Sequence, residues 1–131
     1  LLMADSDERF FERFNLGSTR YNVLVHLEET PGLTLSELSR RLLCTKGNMT
    51  RILKSMEQDG LLARRADPQD GRAVRHALTP GGAALLAEVR GAYQAYLEQR
   101  FSGLELYEID SLERILTRFN RHLEAALRPN D

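Results

Sequence analysis

The sequence predicts a mainly α-helical fold with one small β-hairpin, and three observations lead there. Apolar residues recur at helical spacing through most of the chain; a capping signal and a proline signal open two of the helices; and residues 61–78 switch to β-compatible ends around a turn. With 131 residues and 42% apolar side chains, the chain suffices for one compact core, or one core with a helical extension. No run of about eighteen apolar residues occurs. The start, Leu1-Leu2-Met3-Ala4-Asp5, lacks the charged segment and long apolar stretch of a secretion signal. The expectation is a soluble, cytoplasmic protein with no membrane partner. A single cysteine, Cys44, forms no internal disulfide and suits a reducing compartment. A start without methionine predicts a chain trimmed at its N-terminus.

The first two helices follow from spacing. Phe10, Phe11 and Phe14 lie on one side of a segment from Asp5 to Asn15, and Gly17-Ser18 interrupts it. Tyr21, Leu24, Val25 and Leu27 then make a stripe along Thr19–Glu29, with Ser18 as the expected N-cap. Thr30-Pro31-Gly32 is a turn. Thr34-Leu35-Ser36-Glu37 is a capping box, in which the Thr34 hydroxyl and the Glu37 carboxylate each accept from the other residue's backbone N–H. Leu33 and Leu38 flank it as a hydrophobic staple, and a short helix from Leu35 to Leu43 is predicted.

After Cys44, Thr45 opens a second helix, Lys46 to Asp59. Projected at about 100° per residue, it separates Met49, Ile52, Leu53 and Met56 from a basic, hydroxylated face of Lys46, Gly47, Thr50, Arg51 and Lys54. Gly60 stands where a helix stops in a left-handed residue. Two short helices joined by a few residues make a helix-turn-helix. Leu61–Ala66 and Arg72–Leu78, joined through Asp67-Pro68-Gln69-Asp70-Gly71, then read as an arginine-rich hairpin, a wing beside the second helix.

Thr79-Pro80 caps and starts a long helix, Pro80 to about Phe101, with Leu85, Leu86, Val89, Tyr93, Tyr96 and Leu97 on a broad face. A second runs from about Leu106 to Leu127 and carries Ile109, Leu112, Leu116, Phe119, Leu123 and Leu127 at alternating steps of three and four. Each spans roughly 30 Å, more than a winged-helix lobe needs to close its core. The surplus apolar seam predicts a partner subunit. The lobe is expected at about residues 19–79, with a helical dimerisation part at about 1–18 and 80–131.

The net charge of −1 hides an asymmetry. Between Arg40 and His76 nine lysines and arginines face four acids, a net of +5, which leaves −6 on the remainder. One segment is thus suited to a polyanion and its flanks repel one. Lysine and arginine supply a sequence-independent attraction to phosphate, while Arg51, Thr50 and Asn48 suit base edges in a major groove. Double-stranded DNA is the expected partner. A winged helix meeting an acidic protein is the alternative reading, which a steep salt dependence separates from the first.

These stretches resemble the MarR family of bacterial regulators: Leu33-Thr34-Leu35-Ser36-Glu37-Leu38, Thr45-Lys46-Gly47-Asn48-Met49-Thr50-Arg51, Asp59-Gly60-Leu61, Asp67-Pro68-Gln69-Asp70-Gly71-Arg72 and Leu78-Thr79-Pro80-Gly81-Gly82. The resemblance implies a homodimer with intertwined terminal helices, reading a pseudo-palindrome as a repressor. It also implies release by a small aromatic or anionic effector, or by an oxidant. On this resemblance Arg72 is the wing-tip arginine that enters the minor groove, and Asp70 the acid that orients it. Thr45, Lys46, Asn48, Thr50, Arg51 and Lys54 match recognition-helix positions, with Gly47 in place of the commoner serine. The first dimerisation helix is short for the family.

The remaining candidates are secondary. Arg64, Arg65 and Arg75 lie along the wing strands, and for Arg64 and Arg65 an ion pair with Asp67 competes with a phosphate contact. Cys44 admits two readings, a small core residue or a redox switch beneath the recognition helix, although redox members of the family carry the sensing thiol near the N-terminus. His26, His76 and His122 are too scattered for a metal site. Tyr93, Tyr96 and Phe101 are expected to pack in the core or an interface. There is no nucleophile-and-base motif and no phosphate-cradling glycine loop, so neither an enzyme nor a cofactor is predicted.

Overall fold

A computed structural model describes residues 2–127. Among them the order is α1 (Leu2–Glu12), α2 (Ser18–Glu29), β1 (Leu33–Thr34), α3 (Leu35–Arg41), α4 (Lys46–Gln58), β2 (Leu62–Ala66), β3 (Val74–Leu78), α5 (Pro80–Arg100) and α6 (Leu106–Leu127). The mainly helical class with a small wing is the one that periodicity predicts. No helix among the described residues is long and apolar enough to cross a membrane. The chain divides into two compact units, one ending at Tyr93 and the other beginning at Gln94.

In the first unit the sheet has the order β1-β3-β2, all antiparallel. The hairpin β2–β3 pairs Leu62 with Leu78 through to Ala66 with Val74. β1 is an addition to the sequence reading. Leu33 lies opposite His76 and Thr34 opposite Arg75, so the residues expected only to staple and cap α3 also form a strand. Two residues without a distinctive pattern give no local signal, and the pairing exists only because β3 offers a free edge. The capping box forms as expected. The Glu37 backbone N–H donates to Thr34 Oγ1 at 3.3 Å, and the Thr34 N–H donates to Glu37 Oε2 at 2.8 Å. That backbone bond, ahead of the Thr34 hydroxyl and of nearby Arg75 and Arg41, holds the Glu37 carboxyl below its ordinary range.

Three helices end in the same way. The last turn of α1 closes through Leu16 N–H to Phe11 O and Asn15 N–H to Glu12 O; α3 closes through Cys44 to Ser39 and Leu43 to Arg40; α4 closes through Leu61 to Met56 and Gly60 to Glu57. Each is a Schellman ending, whose turning residue sits at positive φ: Asn15 at 51°, Leu43 at 50° and Gly60 at 73°. Gly60 fulfils the sequence expectation. Leu43 does not, because a γ-branched side chain is costly in that conformation, and it is also 77% exposed. The helix predicted to reach Leu43 therefore stops at Arg41 and turns through Leu43 into α4.

The core joins the helices to the sheet. Val23, Leu24 and Leu27 of α2, Leu38 of α3, Met49, Leu53 and Met56 of α4, and Leu86 and Val89 of α5 are all buried. Val23, rather than the expected Val25, completes the α2 face. Ser18 is the first residue of α2 and not its cap: Gly17 holds the cap position, and the Ser18 hydroxyl donates to Glu8. Phe10, Phe11, Tyr21 and Tyr93 form an aromatic cluster with ring centroids 4.8–5.8 Å apart. Tyr93 therefore packs inside this unit. Arg90 of α5 donates to Glu28 of α2 at 2.6 Å.

α5 enters this unit through a backbone crossing. Thr79 Oγ1 accepts from the Gly82 N–H at 3.0 Å and donates to Gly60 O at 2.5 Å. A Cβ on Gly82 would stand 2.1 Å from Leu61 O. In the second unit, Glu108 caps α6 by accepting from the Glu105 N–H at 2.8 Å, and Arg100 lies over the Tyr96 ring at 5.6 Å. α6 buries none of its residues, and Leu112, Leu116, Phe119, Leu123 and Leu127 are exposed along its length.

Two stability effects are expected. Gly82→Ala forces the start of α5 away from Leu61 and should cost about 3 kcal/mol. Leu43→Gly relieves the left-handed leucine and should stabilise by about 1 kcal/mol. Urea denaturation of both variants beside the parent protein measures each effect, and the signs must be opposite.

Candidate nucleic-acid interface

α4 is capped by Thr45, whose Oγ1 accepts from the Asn48 N–H at 3.2 Å. The burial pattern sorts the helix as its projection requires. Met49, Leu53 and Met56 face the core, and Lys46, Gly47, Thr50, Arg51 and Lys54 are exposed. Thr50 Oγ1 donates to Lys46 O at 2.7 Å, which turns the hydroxyl's acceptor lone pairs outward. Nothing lies within 4 Å of where a Gly47 Cβ would sit, so glycine there is not required by packing.

Asn48 is placed differently from its neighbours. It is half-buried; Nδ2 donates to Cys44 Sγ at 3.2 Å, and Oδ1 accepts from Arg51 Nη2 at 2.6 Å. The amide thus joins the α3–α4 turn to the guanidinium of Arg51 and orients that group on the exposed face. Cys44 itself is half-buried at the start of α4.

At the wing, Arg72 stands exposed on the turn between β2 and β3. Asp70 orients it through the backbone: Asp70 Oδ1 accepts from the Arg72 N–H at 3.1 Å, and Asp70 O accepts from Ala73 N–H at 2.9 Å. Asp67 is buried beneath the turn and accepts from the Gln69 N–H at 2.8 Å, the Asp70 N–H at 3.4 Å and Arg75 Nε at 2.6 Å. The bond from Gln69, then the one from Arg75, hold its carboxyl below the ordinary range. The acid expected to compete for Arg64 or Arg65 is thus matched by Arg75, which also donates through Nη1 to Gly32 O at 2.8 Å. Strand alternation accounts for Arg64, which lies on the opposite side with His76, whereas Arg65 shares the side of Arg75 and Asp67 and is left exposed. Arg64 lies 3.7 Å from Glu57 of α4, and Arg65 is exposed.

The helix and the wing enclose a groove of about 850 Å³, lined among others by Ser36, Thr50, Lys54, Arg64 and Arg72. Thr50, Lys54 and Arg72, read separately from a helix and a turn, therefore border one space.

Behind that groove is a residue that sequence reasoning left among the scattered histidines. His76 is buried in β3, with Nδ1 3.3 Å from Leu33 O and Nε2 3.5 Å from Glu57 Oε1. It connects β1, β3 and α4. Burial pushes its pKa below the ordinary 6.5, and the Leu33 carbonyl and the Glu57 carboxylate oppose that shift. The only local clue is its place in the strand alternation, and Glu57 had no signal at all. Among the described residues no group of three or more His, Cys, Asp or Glu is placed to hold a metal ion.

A helix-turn-helix whose exposed basic face adjoins an arginine-tipped hairpin defines a winged-helix DNA-binding transcription regulator. The MarR family model matches residues 16–74. The uncharacterized HTH-type transcriptional regulator YkoM of Bacillus subtilis (strain 168) is 31% identical over 125 residues, 95% of this chain and 78% of that protein. The HTH-type transcriptional repressor IacR of Pseudomonas putida is 26% identical over 117 residues, 89% of this chain and 70% of that protein. The crystal structure of the MarR family transcription regulator SP03579 superposes with a TM-score of 0.83 at 25% identity, covering 98% of this chain and 85% of that one. The chain belongs to the MarR family, a family of transcription regulators and not of enzymes.

The buried histidine makes stability depend on pH. The unfolded chain takes up a proton near pH 6.5, whereas folded His76 resists protonation until lower pH. Its contribution is therefore full above 6.5 and is lost as pH falls through the folded value. Unfolding free energies measured across this range should fall on acidification in the parent protein and fall less in His76→Gln.

Proposed function

We propose that this protein is a homodimeric, ligand-responsive repressor that binds a pseudo-palindromic operator in the cytoplasm and catalyses no reaction. One observation carries the reading: the exposed polar face of α4 and the wing-tip Arg72 border one groove, within a segment of net charge +5 in an acidic chain. Lys46, Lys54 and the Thr45 helix start address phosphates, and Arg51 and Thr50 address base edges in the major groove, with Asn48 steering Arg51. Arg72 enters the adjacent minor groove from a turn held by Asp70. Arg64 and Arg65 add phosphate contacts along the wing.

The dimer reading rests on α6, whose apolar side chains lie exposed at coiled-coil spacing. A second copy that covers them sets two recognition helices about 34 Å apart, the spacing of successive major grooves. The DNA-binding lobe then comprises about residues 19–79, and about 1–18 and 80–131 serve dimerisation. Family membership supports a small aromatic or anionic effector as the releasing signal, and the repressor named among the relatives supports repression.

Operator fragments selected from genomic DNA provide the test. Arg72→Ala combined with Lys46→Ala should abolish the low-salt mobility shift, and the parent protein's affinity should fall steeply with salt, by about 0.9 logarithmic units per tenfold salt for each phosphate neutralised. Undiminished binding by the double variant, or salt-independent affinity, rules the reading out.

A further inference from the structure

Arg75 carries a positive charge on the wing, and charge alone makes it a candidate phosphate contact. Its geometry has another consequence. The guanidinium is committed in two directions, with Nε to the Asp67 carboxylate and Nη1 to the Gly32 carbonyl, 43 residues away in the chain. Asp67 in turn receives the N–H groups of Gln69 and Asp70, two of the residues that shape the tip turn. Asp70 then holds the Arg72 N–H. A continuous set of hydrogen bonds thus runs from the α2–β1 loop, through Arg75 and Asp67, to the backbone of Arg72.

An isolated hairpin is marginally stable and bends about its long axis. The ladder pairing of β2 and β3 ends at Ala66 and Val74, short of the tip that carries Arg72. Beyond that end the Asp67 N–H donates to Ala73 O and the Ala73 N–H to Asp70 O, both at 2.9 Å, and the side-chain bonds just named tie this turn to Arg75 and the α2–β1 loop. We propose that Asp67 and Arg75 are positioning residues for DNA reading, a buried carboxylate and its bridging guanidinium that fix the angle at which the wing presents Arg72. The inference rests on the DNA-binding function of the wing and names what orients it.

Two consequences run against simple electrostatics. Asp67→Asn removes a negative charge from the DNA-binding face, which by itself strengthens attraction to a polyanion. Positioning requires the opposite, a weaker complex, because asparagine keeps the acceptor for Gln69 and Asp70 and loses the ionic bond to Arg75. Arg75→Lys keeps the charge, so a phosphate contact tolerates it. A single ammonium on a flexible stem does not reproduce two bonds in divergent directions, so a bridge does not.

Affinities of the full-length protein for a selected operator and for an unrelated duplex of equal length test this, at a temperature where thermal unfolding curves show each variant folded. Asp67→Asn and Arg75→Lys should each lower operator affinity about tenfold, with little change toward the unrelated duplex. In an Arg72→Ala background neither substitution should lower affinity further, since both act through Arg72. Tighter operator binding by Asp67→Asn, parent-like binding by Arg75→Lys, or additive losses in the double variants overturn the inference and leave the DNA-binding reading intact. If Asp67→Asn does not fold, Arg75→Lys and its double variant decide alone. Failure of the parent protein to bind any duplex overturns both.

Discussion

Strand β3 hydrogen-bonds along both of its edges, to Leu33–Thr34 on one side and to Leu62–Ala66 on the other, and the functional contacts of the lobe are referred to it. Its Arg75 and His76 point to opposite sides of the sheet. Arg75 reaches the wing turn and the α2–β1 loop, and His76 reaches Glu57 on α4. Five residues thereby set the wing, the start of α3 and the reading helix in register. A slip of one residue would exchange the two side chains, placing a guanidinium in the core and an imidazole at the wing turn.

Charge in this protein is sorted by function. Several arginines are held by acids within the lobe: Arg20 by Asp59, Arg64 near Glu57, Arg75 by Asp67 and Arg90 by Glu28. Lys46, Lys54, Arg65 and Arg72 are exposed around the groove and the wing. The Arg20–Asp59 and Arg90–Glu28 pairs join elements distant in sequence, the Arg64–Glu57 and Arg75–Asp67 pairs join neighbouring ones, and the exposed cations face outward from helix and hairpin. This division explains how an acidic chain serves a polyanion: attraction is confined to one face, so binding depends on how that face is oriented.

Helix α6 expresses a different constraint. Its apolar side chains follow the spacing of a packed helix and yet none is buried. The hydrophobic effect penalises such a row in water. The row lies in the unit that begins at Gln94, and the wing lies in the other.

Much of the architecture was legible in the residues themselves. The Thr34–Glu37 capping box, the Gly60 ending, the Thr79-Pro80 helix start and the two faces of α4 all depend on groups within about five residues of one another, and such signals survive in a linear sequence. Exposure of Lys46, Thr50, Arg51, Lys54 and Arg72 followed from periodicity and turn chemistry for the same reason. Tertiary structure alone decided the rest. It made a strand of Leu33–Thr34, buried Val23 in place of Val25, gave Asp67 to Arg75 instead of Arg64 or Arg65, and set His76 between Leu33 and Glu57. Those outcomes depend on which elements share an edge or a face, and that choice is made by packing of the whole lobe. A charged side chain announces only that it needs a partner or water; which of the two it receives is settled when the chain has folded.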